Sequence, residues 1–115
     1  MKTIQELSKA ERTILEELRL QMQQEFPHWV FRMTIFGSRA RGDAEPDSDS
    51  DMDILIEIET EQISFVEKQR LRRVAGEISI NTGTVLSLLI VDRSLRRERG
   101  DFSIFHNIRE EGIPV

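Results

Sequence analysis

The chain has no cysteine, so disulfide bonds and thiolate metal sites are excluded. It has no apolar run approaching the roughly 20 residues that cross a bilayer, which argues against a membrane protein. The opening stretch MKTIQELSKAER is charged and has no apolar core, so no secretory signal is expected and the cytoplasm is the default location. There is no internal repeat and no low-complexity linker. What is present is a globular composition, 38% hydrophobic and 32% charged, over 115 residues. That length suits one compact domain, residues 1–115, with one modest core.

The net charge is −5, and the charges are segregated. From Asp43 to Glu67 there are ten acids and no Lys or Arg, while nine Lys or Arg follow from Lys68 onward. A net acidic chain with a basic segment still has a face for phosphate or for an acidic partner. The basic group Arg93, Arg96, Arg97 and Arg99 has no interleaved aromatics, which argues against direct nucleic-acid binding and for a partner contact or a solvated face.

Hydrophobic spacing predicts the elements. Ser8 and Glu11 form a potential capping box before Ile14, Leu15, Leu18 and Met22, which recur at helical spacing, and this helix should end near Phe26-Pro27. VFRMTIF, Val30 to Phe36, reads as a strand that stops at Gly37-Ser38. Arg39 to Gly42 has room for one helical turn, and Asp43 to Ser50 is loop. ILIEI, Ile54 to Ile58, is a second strand. Gln62 to Ile80 is helical, with Gly83 at its stop. VLSLLIV, Val85 to Val91, is nearly all apolar and therefore expected at the centre of a sheet. Asp92 to Gly100 is a basic turn or a short helix start, and Phe102 to Glu111 is a last helix closed by Gly112 and Pro114. The order helix, strand, strand, helix, strand, helix suggests an α/β (α+β) domain, with a short mixed sheet and helices packed on one side.

Two segments carry chemistry. In Phe36-Gly37-Ser38-Arg39-Ala40-Arg41-Gly42, a strand ends in a sharp turn that lets backbone approach a ligand. Free N–H groups after such a turn attract an anion, Ser38 adds a hydroxyl, and Arg39 and Arg41 offer planar forks to phosphate oxygens. In Asp49-Ser50-Asp51-Met52-Asp53, residues two apart in a strand share a face, so Asp51 and Asp53 project together. Paired carboxylates are hard oxygen ligands suited to Mg²⁺ or Mn²⁺. A phosphate cradle beside a carboxylate metal site is what phosphoryl or nucleotidyl transfer requires. As a calcium loop from Asp47, the run would place Met52 and Ile58 where Gly and Glu are needed, so that reading fails. Arg41-Gly42-Asp43 spells an adhesion tripeptide without a secretory context. His28 and His106 are isolated, and Trp29 reads as a packing residue.

GSRARG, a polar loop and a DxD running into an apolar strand resemble the DNA polymerase β-type nucleotidyltransferase superfamily, and the short length is similar to its minimal nucleotidyltransferase (MNT) domains. The resemblance is sharpest from Thr34 to Ile58 and extends more loosely to the terminal REEGIPV. It implies a nucleotidyltransferase-like fold. It also implies Mg²⁺-dependent transfer of AMP from ATP, with Gly37, Ser38, Arg39 and Arg41 binding nucleotide and Asp51 and Asp53 as the catalytic metal ligands. Counting about ten residues from Ser38 selects Asp49 and Asp51 instead. The strand criterion favours Asp51 and Asp53, because loops absorb insertions and strand register does not. Full superfamily members carry a third carboxylate on a later strand. VLSLLIV has only Ser87 as a polar residue, and Glu77 and Asp92 nearby fit that place poorly. Small MNT proteins are typically encoded beside HEPN ribonuclease toxins, so the resemblance implies an antitoxin with a HEPN partner whose tyrosine accepts AMP. The alternative is a degenerate module that masks its partner, or senses nucleotide, without transfer.

Overall fold

The computed structural model describes residues 6–41, 51–100 and 103–115. Helix α1, Lys9–Glu25, starts where the capping box places it: the Ser8 hydroxyl accepts from the Glu11 N–H at 3.1 Å, and the Ser8 N–H donates to the Glu11 carboxylate at 2.9 Å. Its buried stripe is Ile14, Leu15, Leu18 and Met22. The chain leaves α1 through Phe26, whose ring stacks on Trp29 at 3.8 Å. Strand β1 (Phe31–Phe36) runs directly into a single-turn helix α2 (Gly37–Arg41). Strand β2 (Met52–Ile58), helix α3 (Phe65–Thr82), strand β3 (Leu86–Val91), helices α4 (Arg93–Arg99) and α5 (Ser103–Glu111) and a two-residue strand β4 (Ile113–Pro114) follow. Among the described residues, no helix is long and apolar enough to cross a membrane.

Helix α3 begins three residues later than its apolar spacing suggests. A second capping box sets the start, with Ser64 and Glu67 exchanging bonds of 3.1 Å each way. Gly83, with φ 76°, closes the helix in the left-handed conformation expected of a glycine stop. Strand β4 was not legible from two residues. It pairs antiparallel with β1, and the Val115 N–H donates to Met33.

The sheet has the order β3-β2-β1-β4, with β2 antiparallel to β1 and parallel to β3, so it is mixed as expected. The position of β3 differs from the expectation: it is an edge strand, not a central one. Its apolar character comes from cover on its faces rather than from neighbours on both edges. Met52, Ile54, Ile56 and Ile58 of β2 join α1 and α3 in the main core on one face of the sheet. On the other face a smaller cluster forms around Leu55, Val91 and Ile108, with Phe36, Leu89, Leu95 and Phe105 against it, so α4 and α5 cover part of that side as well.

Candidate active site

The strand register builds the site. Phe36 pairs with Asp53 across β1 and β2, and Asp53 pairs with Ser87 across β2 and β3, so the end of β1 and the starts of β2 and β3 meet in one row. Gly37 then turns the chain with φ 77°. A Cβ at position 37 would collide with the Asp53 carboxylate. The glycine is therefore needed twice, for the left-handed backbone and for the close approach of the carboxylate. Turn and carboxylate, sixteen positions apart in the chain, are in contact.

Asp53 is half-buried, and its pKa is raised above the ordinary carboxylate value. Burial is the largest cause, the charge of Asp51 adds to it, and the Arg41 guanidinium opposes both. Asp51 and Asp53 are thus electrostatic neighbours, although Asp51 lies just ahead of β2, which begins at Met52. Two carboxylates that repel each other in a partly desolvated place fit a divalent cation, which removes the repulsion. Among the described residues, no third His, Cys, Asp or Glu joins them to complete a cluster. The alternative ligand Asp49 lies outside the described residues.

The other nucleotide-site candidates divide. Ser38 lies in the first turn of α2 and is half-buried. Arg41 faces Asp53 and also lies 3.7 Å from Glu111 of α5, with both side chains about half exposed. Arg39 is turned the other way, against α1. Its guanidinium donates to Glu11 at 3.2 Å, and both side chains are largely buried. Glu11 consequently holds two things, the Ser8 N–H and Arg39. The sequence gives no signal for the second role, because the partners are 28 residues apart.

On the β3 side of Asp51, an open cleft of about 420 Å³ lies between α3 and β3. Arg72, Gly76 and Ser79 line it from the helix, and Ser87 and Leu88 from the strand. Ser87 stands opposite Asp53, the place where the resemblance puts a third acid. Asp92 and Glu77 do not reach this place. Asp92 is five residues further along β3, roughly 16 Å away at 3.3 Å per residue. There it is buried and accepts from the Ile63 and Leu95 N–H groups at 2.9 and 2.8 Å, a structural clasp between α4 and the lead into α3. Glu77 is on the side of α3 that faces α1, near Gln21 and Arg73.

Arg93, Arg96 and Arg97 of the basic group are absorbed by the acidic run. Arg93 and Arg96 pair with Glu59 at 3.4 and 3.3 Å, Arg96 also with Glu57, and Arg97 with Glu61. His28 is exposed and 3.8 Å from Glu67, and His106 is exposed on α5. Neither approaches a metal-binding cluster among the described residues.

A comparison with protein families matches residues 15–96 to the family described as nucleotidyltransferase domain. The match covers more than two thirds of the chain and contains both segments of the site. A comparison with curated proteins returns no match.

Proposed function

Because the chain belongs to the nucleotidyltransferase domain family, whose reaction is nucleotidyl transfer from a nucleoside triphosphate, we propose that it moves AMP from ATP to a protein acceptor. The contact of Gly37 with the Asp53 carboxylate carries this reading. It sets a backbone turn suited to phosphate directly against a carboxylate pair suited to Mg²⁺. Gly37 and Ser38 would hold the terminal phosphates, and Arg41 would neutralise phosphate charge while keeping Asp53 ionised. Arg39, paired with Glu11, would fix α2 rather than reach for phosphate. Asp51 and Asp53 would hold the Mg²⁺ or Mn²⁺ ion, which when bound polarises the phosphate under attack. On the resemblance to MNT antitoxins, the acceptor protein would be a HEPN toxin, with a tyrosine hydroxyl as acceptor and an antitoxin role for transfer.

A second reading is favoured by Ser87. With a hydroxyl in place of the third acid, the domain would bind Mg²⁺–ATP and mask or sense its partner without chemistry. ATP labelled at the α or the γ phosphate, incubated with Mg²⁺ and the neighbouring gene's product, separates the two. Transfer of α label alone, lost in the Asp51→Asn, Asp53→Asn double variant, supports transfer. Tight partner binding with no label from either position supports masking.

A further inference from the structure

We infer that Glu11 is a positioning residue of the nucleotide site, and that the capping box of α1 and the Gly37 turn are the two ends of one relay. The inference rests on the reading above, in which Gly37 and Ser38 hold the terminal phosphates, and names what orients them. Helix α2 has five residues, Gly37–Arg41, too few to hold their own shape. Of these five only Ala40 is buried, so a single methyl group is its purchase on the core. Its orientation therefore depends on what its longer side chains grip. At about 100° per residue, Arg39 and Arg41 point to opposite sides, and Ser38 shares the side of Arg41, three positions on. Arg41 faces Asp53, and Arg39 is held against α1. The grip on Arg39 thus fixes the rotation at which Ser38 and Arg41 are presented on the side of Asp53.

Two acids meet the two arginines, and burial ranks them. The pair of Arg41 with Glu111 spans 3.7 Å with both side chains about half exposed, so water and salt screen it. The pair of Arg39 with Glu11 spans 3.2 Å with the side chains only 15% and 14% exposed. There a charge-assisted hydrogen bond is strong, and losing one partner strands the other charge. The oxygens of Glu11 are divided between two tasks. Its Oε2 accepts from the Arg39 guanidinium, and its Oε1 accepts from the Ser8 N–H at 2.9 Å. With one oxygen fixed by the helix cap, the other is aimed in one direction, toward α2. The relay thus runs from the Ser8 N–H through the Glu11 carboxylate and the Arg39 guanidinium to the backbone of the nucleotide turn. A turn set in advance for phosphate gives up less freedom on binding, which is how a residue that touches no nucleotide raises its affinity.

The test measures Mg²⁺–ATP binding to the intact chain by calorimetry, with urea midpoints alongside to separate affinity from stability. A capping box accepts Gln as well as Glu, so Glu11→Gln keeps the cap and removes the charge that Arg39 needs. Its Kd should rise at least about tenfold. Glu16→Gln, an equal loss of charge further along α1 in a pair with Arg19, should leave Kd unchanged. If Arg39 were a phosphate ligand that Glu11 withholds, Glu11→Gln would tighten binding instead. That sign, or an unchanged Kd whatever the urea midpoint does, overturns the proposal. Two variants of Ser8 test the aim of the carboxylate and decide the matter if Glu11→Gln does not fold. Ser8 has φ −64°, which proline adopts; Ser8→Pro and Ser8→Gly both lose the hydroxyl, but only proline loses the N–H bonded to Glu11. The proline variant's Kd should exceed the glycine variant's at least about threefold, and equal values overturn the relay. Absence of Mg²⁺–ATP binding in the unaltered chain strikes the nucleotide reading itself. The amide NMR signals of Gly37 and Ser38 then judge the relay without ligand: Glu11→Gln should shift both and Glu16→Gln neither, and signals that stay in place under Glu11→Gln overturn it.

Discussion

At the residue scale, the carboxylate of Asp53 works against the fold. Its pKa lies above the usual 3.8 because burial and Asp51 disfavour the charge, so the folded chain holds the proton more tightly than the unfolded one. Stability therefore falls as pH rises from 3.8 through the folded value, and the deficit persists above it. Asp53→Asn removes that deficit. At pH 7 its unfolding free energy in urea should equal or exceed that of the unaltered chain, by under about 1 kcal/mol, because the half-buried carboxylate is still partly screened by solvent. The difference should vanish as pH approaches 3.8, and Mg²⁺–ATP binding should be lost throughout. A marked loss of stability at pH 7 would contradict this account. Gly37 and Gly83 make a matched pair, with φ 77° and 76°, but only Gly37 is crowded. Alanine at 83 should cost about 1–2 kcal/mol for the left-handed backbone alone. Alanine at 37 should cost more and lower nucleotide binding at least about tenfold, as read by denaturation and calorimetry. Equal costs would show that the carboxylate yields easily. The identity of these residues was legible in GSRARG and DxD. Their contact was not, because it depends on the register of two strands.

The elements were legible to the extent that their signals are local. The Ser8–Glu11 box, the apolar stripe of α1 and the Gly83 stop are each contained within a few residues, and each stands where the pattern put it. The start of α3 was set too early because periodicity alone was followed, although Ser64-Phe65-Val66-Glu67 carries the same capping pattern. Ser64→Ala should destabilise the protein by about 1 kcal/mol. Glu67 has its pKa held below 4.5, chiefly by the hydrogen bond from the Ser64 backbone. Its contribution is thus complete above 4.5 and fades as pH falls through the folded value. Glu67→Gln should flatten the acid limb of stability between pH 4.5 and lower values, measured as urea midpoints across a pH series. An unchanged acid limb would assign the acid sensitivity elsewhere. Strand β3 was misplaced for a different reason. Hydrophobicity reports covered faces, whereas edge position is decided by which strands pair, and no residue in VLSLLIV encodes that.

Over the whole molecule, one buried acid matters more than many exposed ion pairs. Asp92 joins the entrance of α4 to Ile63, the residue that leads into α3. Asp92→Ala leaves two N–H groups without their acceptor and removes a helix cap, an expected loss of about 2–4 kcal/mol. Arg97→Ala breaks an exposed pair with Glu61 and should cost no more than about 1 kcal/mol. Thermal unfolding of the two variants side by side checks the ranking, and a reversal would place the weight on the surface network. The segregation of acidic and basic runs was plain in the sequence. That they satisfy each other was not, since Glu57 to Glu61 and Arg93 to Arg97 come together only through the parallel pairing of β2 with β3.

The space shared by Gly37 and Asp53 also ties two heritable characters into one. Position 37 is not free to vary while the acid at 53 is kept, because a side chain at 37 displaces the carboxylate. Once a descendant chain loses the acid, position 37 opens to Asn or Asp, which tolerate left-handed backbone. A residue other than glycine at 37 is then expected only in a chain that has already lost the acid at 53.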